Sequence, residues 1–237
     1  MTTILEVAVQ HARDVPGCLE GGADRLALDV DGRSPDVATA SAVLRASDRP
    51  VRVRLRLADT YTTTGADLTT MVQLAGEYLA LGAEGVSFGF LDADLEVDVE
   101  TTLALAESLP GVPWTFHRAI DATLDPRRSW RRLVGLPGLT AVHSGGSPQG
   151  LEHGYDELVA LAAADPRIAR LLQPTGGLLA EQVPWFLRAG VRQFGVGTEV
   201  RPGGSLRAYV DAAMVRSWRT LLDDLDQTEA HDRRVEP

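Results

Sequence analysis

Hydrophobic and polar positions along the chain follow two periods that take turns from one end to the other. Short apolar runs fall at residues 4–9, 25–30, 51–57, 85–90, 113–117, 140–143, 170–174 and 192–196, eight candidate strands in all. Segments with helical spacing lie between and after them, at about residues 12–21, 35–46, 67–82, 98–108, 126–134, 153–163, 179–189 and 205–224. Several open on start signals, Ser34-Pro35, Asp67 and Asp125-Pro126, and two end in glycine, Gly82 and Gly190. Strand and helix in strict alternation imply parallel strands joined by right-handed crossovers. Eight such units in 237 residues predict an α/β chain folded as a single (β/α)8 TIM barrel. No linker splits it, so one domain is expected over residues 1–225. The nearly apolar-free stretch 226–237 is expected to be a flexible tail.

The third run, "PVRVRLRL", sets Arg52, Arg54 and Arg56 between Val51, Val53, Leu55 and Leu57. A strand points successive side chains to opposite faces, and in a barrel one face meets the helices and the other the interior. The aliphatic face packs outward, so the arginines point inward. The same rule sends Glu6, Ala8, Arg25, Ala27, Asp29, Ser87, Gly89, Thr115, His117, Gly195 and Gly197 inward; strands six and seven stay ambiguous. An unpaired buried charge costs several kcal/mol, which makes Glu6 and Asp29 the expected partners of Arg25, Arg52, Arg54 and Arg56. The arginines outnumber the carboxylates. The excess predicts either a small anionic ligand or a purely structural ion-pair network.

Composition narrows the chemistry. A net charge of −10 argues against nucleic acid and against anionic membrane as partners. No run of about 18 apolar residues occurs, and the start "MTTILEVAV" has no basic, long apolar leader, so a cytoplasmic location is expected. The single cysteine, Cys18, excludes a disulfide within one chain. All 23 basic residues are arginine. Schiff-base, pyridoxal-phosphate and phosphate-loop lysine chemistry are therefore excluded.

Barrel enzymes work at the C-terminal ends of their strands. There His117 is the candidate general acid/base, with Glu6 and Asp29 as supporting carboxylates and Arg25, Arg56 and Arg118 as anion clamps. The glycine-rich stretches 143–150, 174–178 and 195–204 offer Ser144, Gly145, Gly176 and Gly177 as an anion cradle. The five histidines show no i, i+4 pair on one helix; His117 and His143 alone could converge, and no metal ligand is assigned.

The segments "LEV" (5–7), "EGGADRL" (20–26), "GAEGVSFGFL" (82–91), "VDVETT" (97–102), "TFHRAID" (115–121), "HSGG" (143–146) and "TGGL" (175–178) occur in the order and spacing of the CutC family, which the chain resembles from about residue 4 to 200. The resemblance implies a cytoplasmic barrel, usually a homodimer, with a role in copper homeostasis and copper as the implied ligand. Glu6, Arg25, Arg56, His117, Arg118, Asp121 and Ser144 match residue types of the family pattern. The chain departs from it at Ala8 and Asp29, where the family tends to have cysteine, in "LADTYTTTG" after Arg56, and near Gly195, where the family has histidine. Soft ligands for Cu(I) are missing at those positions. Two functions follow: a copper homeostasis protein, or a barrel enzyme on a small phosphorylated or carboxylated metabolite with His117 as acid/base. Trp130, Trp185 and Trp218 are the candidate residues of a dimer interface.

Overall fold

A computed structural model describes residues 3–235. The chain alternates β1 (Ile4–Val9), α1 (Val15–Gly21), β2 (Arg25–Leu28), α2 (Val37–Ala46), β3 (Val51–Arg54), α3 (Gly65–Ala80), β4 (Gly85–Phe88), α4 (Val99–Glu107), β5 (Trp114–Phe116) and α5 (Pro126–Leu133). It continues with β6 (Leu139–Ser144), α6 (Leu151–Ala164), α7 (Pro166–Leu171), β7 (Leu172–Pro174), α8 (Val183–Arg188), β8 (Gln193–Val196) and α9 (Ala212–Val235). The eight strands form one parallel sheet in the order β7-β6-β5-β4-β3-β2-β1-β8. This is the expected (β/α)8 barrel with one difference. β7 and β8 stand side by side but share no backbone ladder, so the cylinder is laced on seven sides and nearly closed on the eighth.

The helix starts follow the capping chemistry of the sequence. Asp36, Asp98 and Asp125 each accept a backbone N–H in the first turn of their helix, and Thr64 with Asp67 forms a reciprocal capping box ahead of α3. Leu5, Val7, Leu26, Leu28, Val53, Val86, Phe88, Phe116 and Phe194 are all buried between sheet and helices, the outward faces expected from alternation. In register, Glu6 lies beside Arg25, Ala27 beside Arg52, and Arg54 beside Ser87. No described helix is long and apolar enough to cross a membrane.

The last helix departs from the expectation of 205–224. It starts later, at Ala212, and runs to Val235, through most of the stretch assigned to the tail. Within that stretch Asp226 Oδ2 accepts the Thr3 backbone N–H at 2.9 Å. Glu236 and Pro237 lie outside the described residues. The loop before α9 is held by Arg201, fully buried, which donates to both carboxylate oxygens of the equally buried Asp14 at 2.9 and 3.0 Å.

Candidate functional site

The barrel floor is a connected polar network. Glu6 Oε1 accepts His143 Nε2 at 2.7 Å and Gln173 Nε2 at 2.8 Å, while Oε2 takes Arg25 Nε. Arg25 Nη2 reaches on to Gln173 and Gln193 at 2.9 and 3.1 Å. Burial alone would push the Glu6 carboxyl up, but Arg25, His143 and Arg52 together hold it well below the usual carboxylate range. Glu6 is therefore a fixed anion. Arg52 is neutralised by Glu84, at 2.9 Å from Nε, and donates to Thr115 Oγ1 at 2.7 Å. Arg54 pairs with Asp29 Oδ2, whose other oxygen accepts the Gly32 N–H.

Two sequence expectations change here. Three arginines meet three carboxylates, Arg25 with Glu6, Arg52 with Glu84 and Arg54 with Asp29, so the positive excess is absent. Glu84 stands just before β4, outside the run whose alternation identifies inward residues. Arg56 lies past the end of the strand. β3 ends at Arg54, and the Arg56 guanidinium turns outward to the carbonyls of Gly32 and Asp59 and lies over the Tyr61 ring, 4.5 Å from its centroid. Arg56 and His117 line a separate narrow cleft with Tyr61. Asp29 is engaged by Arg54 and by the turn at Gly32.

His117 is buried, and its Nδ1 accepts the Ala119 N–H at 3.1 Å. Burial, with Arg54 and Arg56 adding to it, pushes its pKa well below that of an ordinary histidine. It is thus a neutral ring whose remaining proton sits on Nε2 and whose basic nitrogen is already occupied. In that state Nε2 is a hydrogen-bond donor, and Nδ1 is shared with the Ala119 N–H.

The glycine-rich loops are closed by the chain's own carboxylates. Asp121 accepts Ser144 Oγ at 2.6 Å, the Gly145 N–H at 2.9 Å and the Gly146 N–H at 3.2 Å, and it pairs with Arg118 Nε at 2.7 Å. Glu199 accepts the N–H groups of Gly177 and Leu178 at 2.8 and 3.1 Å through one oxygen and that of Gly197 at 2.5 Å through the other. Ser144, Gly145 and Gly177 therefore hold internal carboxylates in place of the expected external anion. Gly176 instead makes room for Arg118. At φ +88° it passes so close that a Cβ would sit 2.7 Å from Nη1.

Above the floor lies a cavity of about 160 Å³, lined by Glu6, Asp29, Arg54, Ser87, Arg118 and His143 among others. Arg54 and Ser87, both in its lining, carry Nε and Oγ atoms that are buried without a hydrogen-bond partner. His143 meets Glu6 through Nε2, which leaves its Nδ1 on the side of the ring away from that carboxylate. The sequence points to His143 only as a companion of His117, because alternation leaves the face of β6 ambiguous. The pattern Ala141, His143 is the available signal, and the register pairs Ala141 with Thr115 and His143 with Gln173.

The residues present do not fit a Cu(I) ion. Among the described residues no three His, Cys, Asp or Glu side chains come together as a metal-binding group. Cys18 is buried in the core, and burial pushes its thiol up to about 12, far from the thiolate a soft ion needs. Of the tryptophans, Trp130 is a buried core residue and Trp218 is partly buried against the core, which removes the first from any surface; Trp185 is 54% exposed.

The barrel resembles many solved structures, among them the putative copper homeostasis protein CutC of Streptococcus agalactiae (TM-score 0.72, 20% identity, 82% of this chain and 98% of that one). Thiamine phosphate pyrophosphorylase of Pyrococcus furiosus (TM-score 0.62, 14% identity, 94% and 96%) is similar in fold alone. In sequence, the chain is 30% identical over 233 residues to a CutC family protein of Klebsiella pneumoniae, across 91% of this chain and 92% of the relative. A Xanthomonas campestris CutC family protein is 32% identical over 193 residues, 78% of each. The model of the CutC family itself matches residues 3–198, a span that takes in Glu6, His143 and every strand of the barrel. The chain that builds this cavity belongs to the CutC family.

Proposed function

We propose that the barrel mouth binds a small carboxylic acid through Arg54 and Ser87, and that His143, oriented by Glu6, exchanges a proton with it. The observation that carries this reading is that two residues lining one cavity, Arg54 and Ser87, each hold a buried polar group, Nε and Oγ, without a partner. Each such group costs about 1–3 kcal/mol when left unsatisfied, a cost that a bound carboxylate would relieve. His143 Nδ1 takes a proton from the carbon next to the bound carboxylate, the electron pair of the broken C–H bond staying on the acid, and the Glu6 carboxylate on Nε2 stabilises the imidazolium that forms. His117, neutral, supplies at most a hydrogen bond. The reaction class is acid–base chemistry next to a carboxylate, without a Schiff base.

The test is a thermal-shift titration with acetate, malonate and succinate at constant ionic strength. At least one raises Tm in the natural chain, and Arg54→Met abolishes the shift. A panel without any stabilising acid sinks the reading.

Copper homeostasis is the second reading, favoured by family membership and by the likeness to the putative copper homeostasis protein of Streptococcus agalactiae. The donor set described above argues against a resident Cu(I). In a Cu(I) titration against a competing chelator, no stoichiometric tight site is expected; one that vanishes in Cys18→Ser would reverse that conclusion.

A further inference from the structure

The loops after the last two barrel strands commonly hold a phosphate on backbone N–H groups. In this chain those loops point three N–H groups, of Gly177, Leu178 and Gly197, at a single carboxylate, that of Glu199. Gly176 and Val196, the chain neighbours of Gly177 and Gly197, line the cavity, which sets the cradle at its margin. We propose that Glu199 is a specificity-determining residue that occupies the phosphate position and restricts the cavity to non-phosphorylated acids. This rests on the reading of the cavity as a carboxylate site and narrows its ligand class.

Charge and hydrogen bonding act in the same direction. A phosphate would have to displace Glu199 from three N–H donors or approach an existing negative charge from the side. The barrel offers no compensating excess, because Arg25, Arg52 and Arg54 are each matched by a carboxylate. A monocarboxylate needs neither the cradle nor an excess. Arg54 and Ser87 line the cavity from β3 and β4, away from the loops after β7 and β8, and offer a single charge-assisted donor and a hydroxyl in place of a cradle.

Removal of the Glu199 carboxylate leaves the three donors facing the mouth. Binding of inorganic phosphate is followed by calorimetry and thermal shift in the natural chain, in Glu199→Ala and in Glu199→Gln, with chloride at equal ionic strength as the control. The natural chain is expected to show no saturable phosphate binding. Glu199→Ala should bind phosphate at least ~10-fold more tightly than the natural chain. Glu199→Gln, which keeps the size and one acceptor, secures the comparison if the alanine variant does not fold, and should show a smaller gain. Phosphate binding to the natural chain as tight as to the variants overturns the proposal, and so does the absence of any gain in a folded variant. Malonate in the same series separates the two readings. A gain of phosphate binding without malonate binding to the natural chain upholds the exclusion by Glu199 and removes the carboxylate site; malonate binding without the gain does the reverse.

Discussion

His117 and His143 end neighbouring strands, and their surroundings set them to opposite roles. His143 faces a carboxylate, while His117 is buried with Arg54 and Arg56 nearby and keeps a pKa well below the ordinary value of 6.5. As pH falls through about 6.5 the unfolded chain takes up a proton at this histidine and the folded chain does not, so folding stability is lost on the acid side. Glu6 adds a second loss of the same sign at lower pH, since it stays ionised in the fold while the unfolded group protonates below about 4.5. His117→Asn keeps an acceptor for the Ala119 N–H and removes the titration. The drop in Tm between pH 7.5 and pH 5.5 should shrink in that variant; an unchanged drop would refute the assignment. The inward placement of Arg52 and Arg54 is legible from alternation alone. That of Arg56 is not, because alternation says nothing of where a strand stops, and two carbonyls and the Tyr61 ring draw the guanidinium away.

Single glycines show how elements are fitted to one another. Gly154 lies inside α6, where alanine would ordinarily favour the helix by about 1 kcal/mol. A Cβ there would stand 2.1 Å from the Gly145 carbonyl oxygen and 2.4 Å from the Gly146 carbonyl carbon, the backbone of the loop that Asp121 organises. The contact is with backbone and cannot turn aside, so Gly154→Ala should destabilise by about 2 kcal/mol or more in urea denaturation. Gly76 in α3 has open space around its Cβ position, and Gly76→Ala should instead stabilise by about 0.5–1 kcal/mol. The elements themselves are legible with small errors, since caps and apolar spacing are local signals. The partners of the loops are not. Which carboxylate fills a glycine-rich turn, Asp121 or Glu199, is decided by chain segments more than 20 residues away.

Across the whole molecule, the ends of the barrel are tied by Arg201 and Asp14, 187 positions apart and both without exposed surface. Arg201 also donates to the carbonyls of Ala8 and Ala208, and Asp14 accepts the N–H of Gln10. Arg201→Met leaves a buried carboxylate without its cation and should cost about 3–5 kcal/mol, read as a shift of the urea midpoint. Arg216→Met, which removes an exposed pair with Glu20, should cost at most about 0.5 kcal/mol. Neither pair can be matched from sequence, where 33 carboxylates and 23 arginines offer too many choices. The seam between β7 and β8 is the other global feature. What spans it is side chain: Arg25 on Gln173 and Gln193, Gln193 on the Arg170 carbonyl, and Glu199 on Gly177. Separating the two strands therefore breaks no ladder hydrogen bond and must instead break these side-chain bonds. Since the strap nearest the mouth is Glu199, the residue that fills the cradle is also the clasp of the joint. One carboxylate thus ties the loop after β7 to the loop after β8.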